Sequence, residues 1–535
     1  MLTLKNISYS IDDRNIFSNV NFSINKNDRI GLIGDNGAGK TTLLKIIAGQ
    51  IKQNQGVVIK KDISVKLMPQ NLESFLNLTV YDFFEHISGK GKLKHNLEQS
   101  FDEMEKNPSL ENISNYNEML DIYNRNDVEN FDNSVQAAIQ KMSFSAEDLN
   151  KKLSEFSGGQ RARISIAAIS LTAQDIFLLD EPTNNLDHSG INELEKFIDN
   201  SNSSFVIVTH DRNLLRKKCT KIIELVGGNN GVNVFNQGYD EYVKNRDKIR
   251  EANIKKYELH QDNIDKLNNA AKSLQNKANN LLKKKPKTKD NEKLARNARS
   301  EKSSKTLNKA YKSIKSRISH SIEIEKPKDL ASLKIDITNP TKRTTLLTVK
   351  DLSVIYPSGF RVGPLNLYLK SGDRIEINGS NGSGKTSLIK GIMGHDLLKL
   401  EGNSRIGTQN FVYINQDQEL PLMSNTALDN IRFMSPQLPE HDAINLLLKF
   451  NLNKNVVQAV KAMDLSGGER AKVLLASISA NDSDLILMDE PTNNLDIISI
   501  EAIEKALSEY TGGMLVISHD KEFLKNLNIN KVVYL

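Results

Sequence analysis

The sequence predicts an α/β fold, with two P-loop domains joined by a long, basic α-helical hairpin linker. Three observations carry that prediction. The loop G-x-x-x-x-G-K-[ST] occurs twice, each time after a short apolar strand and before a helix with apolar periodicity. Landmarks downstream of the two loops keep matching spacings, which marks an internal duplication. Between the copies, residues 244–328 contain no glycine and hold 25 Lys and Arg against 10 Asp and Glu, a net of +15 in a chain whose total is +6. All other residues therefore sum to −9, so the positive charge is concentrated in one place.

A chain of 535 residues has room for two or three domains. The single cysteine, Cys219, excludes an internal disulfide and suits a reducing compartment. No apolar run approaches the roughly 18 to 20 residues that cross a bilayer. The start, MLTLKNISYSIDD, carries neither a basic leader nor an apolar signal core. The expectation is a soluble, cytoplasmic protein.

The first domain is assigned to residues 1–243. Residues 29–33, RIGLI, form a strand that runs into the loop GDNGAGKTT at 34–42. Its glycines, Gly34, Gly37 and Gly39, let backbone N–H groups from Asn36 onward close around a phosphate. Lys40 reaches the β and γ oxygens, the Thr41 hydroxyl can ligate Mg²⁺, and Thr42 opens the helix. The second loop holds Gly379, Asn381, Gly382, Gly384, Lys385, Thr386 and Ser387 in the same order. Lys40 to Gln70 is 30 residues and Lys385 to Gln416 is 31; Ser157 to Asp180 and Ser466 to Asp489 are both 23; Asp180 to His210 and Asp489 to His519 are both 30.

One interval departs from this register. Gln70 to Ser157 spans 87 residues against 50 from Gln416 to Ser466, a surplus of 37 near residues 88–130. Leu93, Leu97, Phe101 and Met104 form one helical stripe there, and Leu110, Ile113, Tyr116, Leu120 and Tyr123 form another after a break at Asn107, Pro108 and Ser109. A projecting helical arm is expected; an insertion with no partner is the bland alternative. The linker, 244–328, shows three-or-four spacing from Ile249 to Leu282, a tip at about 283–291, and a return helix through Leu294, Leu307 and Ile314. About 40 helical residues reach on the order of 60 Å. A connector over 329–346 leads to the second domain, 347–535.

Downstream of each loop, FSGGQ places Ser157, Gly158 and Gly159, and LSGGE places Ser466, Gly467 and Gly468. Strands IFLLDE and LILMDE end on Asp180–Glu181 and Asp489–Glu490. An Asp there can hold Mg²⁺ and the adjacent Glu can polarise an attacking water. His210 and His519 end the strands FVIVTH and MLVISH. A histidine that ends a strand is usually structural, but recurrence at the matched position favours contact with a γ-phosphate.

Together these motifs resemble the ATP-binding cassette superfamily: phosphate loop, Gln loop, LSGGQ-type signature, acidic pair, D-loop and switch histidine, all present twice over about 430 residues. Phe156 stands where Leu is usual. The resemblance implies two cassettes packed head to tail around two ATP molecules, within a monomer. Lys40, Thr41, Gln70, Asp180, Glu181 and His210 would share one site with Ser466, Gly467 and Gly468. Lys385, Thr386, Gln416, Asp489, Glu490 and His519 would share the other with Ser157, Gly158 and Gly159. Mg²⁺ would sit among Thr41, Gln70 and Asp180, and among Thr386, Gln416 and Asp489. Tyr9 and Tyr356 would stack on the bases by analogy, although a core aromatic is an open alternative.

Two fused cassettes, EPTNNLD in both halves, an insertion in the first and a charged helical linker resemble the ABC-F family. That resemblance implies an ATPase of the 70S ribosome, with the linker 244–328 entering the exit site toward P-site tRNA and the peptidyl-transferase centre, and the arm 88–130 on 23S rRNA. Basic helices suit RNA phosphates with little sequence preference; a solvated tether between the cassettes is the alternative. The linker's length favours antibiotic-resistance members over housekeeping translation factors. An exporter subunit with a separate membrane protein, or a DNA-associated ATPase, is the rival reading.

Overall fold

The strand before each phosphate loop lies inside a mainly parallel sheet, and the strand order explains how distant motifs meet. In the computed structural model the first copy contains β1 (Leu2–Ile11), β2 (Arg14–Ile24), β3 (Arg29–Ile33), β4 (Gln55–Lys60), β5 (Val65–Leu67), β6 (Ile176–Asp180), β7 (Ser204–Val208), β8 (Lys221–Leu225) and β9 (Val232–Phe235). The first sheet is antiparallel with order β2-β1-β4, and the second runs β5-β6-β7-β3-β8-β9, parallel except at β9. The loop leaves β3, the acidic pair ends β6, and the histidine follows β7. Because β6, β7 and β3 are neighbours, their carboxyl ends converge at one edge, where open α/β sheets bind ligands. Strands β6 and β7 are buried along their whole length, which is why IFLLD and SFVIV read as continuous apolar runs with no alternation.

The second copy repeats this with β10 (Leu347–Ile355), β11 (Arg361–Leu369), β12 (Arg374–Asn378), β13 (Lys399–Ile406), β14 (Phe411–Ile414), β15 (Leu485–Asp489), β16 (Gly513–Ile517) and β17 (Lys531–Tyr534), in sheets ordered β11-β10-β13 and β14-β15-β16-β12-β17. The duplication extends to anchoring side chains. Arg29 donates to the carbonyls of Ile198 at 3.0 Å and Ser201 at 2.7 Å, and Arg374 donates to those of Ser508 at 3.2 Å and Tyr510 at 2.6 Å. Each ties the end of a helix to the strand that feeds the loop.

The chain divides into two units, Met1–Tyr239 with Leu330–Leu535, and Asp240–Asp329. The structure describes residues 1–283, 305–307, 309–317 and 345–535, except 13, 70–71, 143, 185, 229–230, 358, 381, 395–398, 417, 451, 482 and 494. Gln70 and Asn381, nearly all of the linker tip and most of the connector thus lie outside the described residues. In the unit Asp240–Asp329 the dominant element is the helix Tyr239–Lys283, 45 residues long, and 305–307 and 309–317 are also helical.

Within the first copy, residues of the 88–130 region form the helices Lys90–Lys106 and Leu110–Arg125. Ser109 caps the second by accepting from Asn112 N at 3.2 Å, and the rings of Phe101 and Tyr116 meet at 5.7 Å. Leu110 is 89% exposed beside the turn. Among the described residues, no helix is long and apolar enough to cross a membrane.

Candidate functional site

Each phosphate loop closes on glycine. Gly37 and Gly39 take φ of 81° and 94°, and Gly382 and Gly384 take 81° and 90°, a region that penalises a Cβ. A Cβ at Gly39 would also lie 2.5 Å from Ile16 Cγ2. Gly34, at φ 152°, faces the Leu225 carbonyl just as closely. Lys40 Nζ donates to the carbonyls of Gly34 at 2.7 Å and Asp35 at 3.1 Å; Lys385 Nζ does the same to Gly379 at 2.8 Å and Ser380 at 3.1 Å. Burial lowers the pKa of both lysines, opposed chiefly by Glu181 at the first and Glu490 at the second.

The Thr41 hydroxyl hydrogen-bonds Asp180, and Thr386 hydrogen-bonds Asp489. Burial raises both aspartates above the ordinary carboxylate range, opposed first by those hydroxyl bonds. Asp489 Oδ2 is buried with no hydrogen-bond partner among the described residues. A hydroxyl beside a buried carboxylate oxygen with spare acceptor capacity is a donor set that fits Mg²⁺. Thr41 and Asp180, and Thr386 and Asp489, would hold it.

Glu181 and Glu490 both sit at φ 48°, where non-glycine residues are uncommon and where strain gathers at functional positions. Matching amide bonds hold the turn, from Glu181 N to Val208 O and from Glu490 N to Ile517 O, both 2.8 Å. His210 Nε2 stands 3.0 Å from Glu181 Oε1, and His519 Nε2 stands 3.4 Å from Glu490 Oε1. Burial pushes Glu490 up to about 7 and lifts Glu181 well above the usual carboxylate range, while burial holds His210 down at about 3. The His210 imidazole is therefore neutral near pH 7, and its contact with Glu181 is not an ion pair. A carboxylate whose pKa lies near the working pH is suited to take a proton from water.

The signature is a helix cap. Ser157 N donates to Gln160 Oε1 at 2.9 Å and Gln160 N returns a bond to Ser157 Oγ at 3.3 Å; Ser466 and Glu469 make the same pair at 2.9 and 3.3 Å. This reciprocal arrangement explains why Gln and Glu alternate at the fifth position of the motif. It leaves the N–H groups behind Gly158–Gly159 and Gly467–Gly468 at the positive end of helices Gly158–Ser170 and Gly467–Ala480.

The copies meet across these elements. A cavity of about 370 Å³ is lined by Ser157, Gly158 and Gly159 from the first copy and by Lys385, Thr386, Gln416, Glu490, His519 and Tyr356 from the second. At the other loop, Asn36 N donates to Asp496 Oδ2 of the second copy at 3.2 Å, and Asp496 Oδ1 caps its own helix at Ser499. Ser466, Gly467 and Gly468 form the start of the helix Gly467–Ala480, with Ser466 as its N-cap. Asp496 is a site residue that the sequence reading passed over. Its signal was the repeated EPTNNLD, whose final Asp is an N-cap within reach of the opposite loop.

Tyr9 requires a correction. Pairs Leu2↔Ile24, Ile7↔Val20 and Tyr9↔Phe17 match Leu347↔Leu369, Leu352↔Leu365 and Val354↔Val362, all offset by 345. Tyr9 is thus the counterpart of buried Val354, and it packs against the first copy's core beside Phe17, at 6.3 Å between centroids. The residue matching Tyr356 is Ile11, which is 51% exposed. Lys40 and Lys385 are offset by the same 345, so the two hairpins match residue for residue up to their phosphate loops. Tyr356 bonds through its hydroxyl to Ser387. Aromatic stacking on a base is worth about 1–3 kcal/mol, so Tyr356→Ala should weaken ATP at the Lys385 site about tenfold, and Ile11→Tyr should tighten the Lys40 site. Titration with a fluorescent ATP analogue, in Lys40→Ala and Lys385→Ala backgrounds respectively, checks both.

The family model described as ABC transporter matches residues 17–184 and 362–493. ABC transporter F family member 2 of Arabidopsis thaliana is 31% identical over 545 residues, covering 99% of this chain and 76% of the relative. ATP-binding protein Uup of Buchnera aphidicola is 28% identical over 539 residues, covering 99% and 80%. Among solved structures, the archaeal ribosome recycling factor aABCE1, in complex with the stalk protein aP1, superposes with a TM-score of 0.54 at 17% identity, over 98% of this chain and 86% of that one. A chain described as RNase-L Inhibitor gives 0.55 at 17%, over 99% and 87%.

Proposed function

The chain belongs to the ATP-binding cassette family, as an F-type twin-cassette ATPase, and from that premise we propose that it works on the 70S ribosome and confers antibiotic resistance by protecting it. The observation that carries this reading is the net of +15 on residues 244–328, whose first part lies in the 45-residue helix Tyr239–Lys283. At about 1.5 Å per residue that helix extends over about 65 Å, and Lys and Arg along such a rod neutralise RNA phosphates and release counterions. In this proposal the linker enters the exit site toward P-site tRNA and the peptidyl-transferase centre, and the arm 88–130 contacts 23S rRNA. A neighbour of the same fold is itself described as a ribosome recycling factor, which makes ribosome binding a use this architecture already has.

ATP at both composite sites closes the cassettes and sets the linker; hydrolysis reopens them and releases the protein. Mg²⁺ bound with ATP would neutralise charge on the β- and γ-phosphates. Lys40 and Lys385 bind phosphate, Glu181 and Glu490 take the proton of the attacking water, and His210 and His519 orient them. Comparing drug susceptibility with and without expression, across macrolides, lincosamides, pleuromutilins, streptogramins and phenicols, tests the resistance reading. At least one class should lose potency. Unchanged susceptibility to all five would reject protection and leave a housekeeping role in translation.

A further inference from the structure

The interface between the cassettes is held by charges that do not obey the duplication. Arg212, 3% exposed, opens the helix Arg212–Lys218 just after His210 and Asp211. Its guanidinium forms a bidentate pair with Glu504 of the second cassette, with Nη1 to Oε2 at 3.0 Å, and donates to Asp520 Oδ2 at 3.3 Å. Arg216, one turn on, donates to Glu522 at 3.1 Å. Every acid in this cluster belongs to the second cassette. The matched positions do otherwise: Lys521, the counterpart of Arg212, is exposed and makes no ion pair among the described residues, and Glu195, the counterpart of Glu504, pairs with Lys217 of its own cassette at 2.8 Å.

Asp520 gives the asymmetry a consequence. One of its oxygens caps the helix Lys521–Asn526, accepting from Glu522 N at 2.9 Å and Phe523 N at 3.0 Å; the other is the one Arg212 holds. The preceding residue, His519, donates its backbone N–H to Glu490 Oε2 at 3.2 Å. Asp211 makes the equivalent cap to Asn213 and Leu214, with no arginine from the second cassette on it among the described residues. Glu181, His210, Glu490, His519 and Asp520 also line one small cavity between the cassettes. We infer that Arg212 is a one-sided positioning residue, by which the first cassette holds Asp520 and so the His519–Glu490 turn of the second site, while among the described residues no arginine of the second cassette holds Asp211 in return.

This rests on Glu181 and Glu490 as the two hydrolytic carboxylates, and the experiment separates the two claims. Steady-state phosphate release is measured in Glu181→Gln, which leaves the Glu490 site active, and in Glu490→Gln, which leaves the other. Adding Arg212→Gln should lower kcat about tenfold in the first background, as expected for a displaced catalytic turn, and less than threefold in the second. Arg212→Lys should restore part of the loss, and Lys521→Gln should change neither. Because removing Arg212 strands Glu504 in a buried place, the pair Arg212→Gln with Glu504→Gln, checked by thermal melting, is carried alongside. It should show the same site bias, since Asp520 is still released. An equal fall in both backgrounds, or none, overturns the positioning role. Full turnover when Glu181→Gln and Glu490→Gln are combined would instead overturn the carboxylate assignment.

Discussion

Changing Glu181 and Glu490 together to Gln should cut ATP turnover by at least about a hundredfold while ATP still binds. Losing a positioned general base typically costs about 10² to 10⁴ in rate, and both bases go at once. The fold should tolerate the change. Glutamine keeps the shape and can keep the φ of 48° that both positions share, and the two carboxylates are already disfavoured as anions by burial, so a neutral amide removes a charge that burial opposes. Phosphate release gives the rate, and equilibrium binding of a fluorescent ATP analogue shows that the sites are intact. Turnover within threefold of the parent would defeat the assignment.

The second large effect concerns the linker. In the double glutamine variant with ATP, the protein should pellet with 70S ribosomes, and deleting residues 255–315 should abolish pelleting while the nucleotide sites still bind ATP. Binding by the intact variant should fall on the order of 10³-fold between about 50 and about 200 mM salt if roughly six or more phosphates are contacted. RNase, not DNase, should release it. Pelleting that survives the deletion would make the linker a tool used after docking, on tRNA or drug. A trapped full-length protein that stays in the supernatant would remove the ribosome from the proposal.

What could be read from sequence depended on how local its cause is. The phosphate loops were legible because turn glycines, a lysine and a hydroxyl occur at fixed spacing within one strand-loop-helix unit. The SGGQ and SGGE segments show their helix start in the same way, through a reciprocal cap closed within four residues. Parallel strand order was legible only as a class; that β6, β7 and β3 are neighbours is a tertiary fact that brings Asp180, His210 and Lys40 together. The pairing of Tyr9 with Tyr356 failed a test that spacing itself offers: the 345 residues that separate Lys40 from Lys385 relate Tyr356 to Ile11, and Tyr9 to Val354. Nor could spacing reveal the backbone of Glu181 and Glu490, imposed by bonds to the neighbouring strands, or the reach of Arg212 to Glu504, a residue 292 positions away.

Cys219 is 4% exposed, packed near Gly31, and burial pushes its thiol up to about 12. The only native sulfhydryl in the chain is thus protonated and shielded under ordinary labelling conditions, since thiolate is the reactive form. The parent protein can therefore serve directly as the background for dye attachment. A cysteine introduced at Lys45 in the first cassette and another at Lys390 in the second would carry a donor and an acceptor, and their energy transfer would follow cassette closure turnover by turnover.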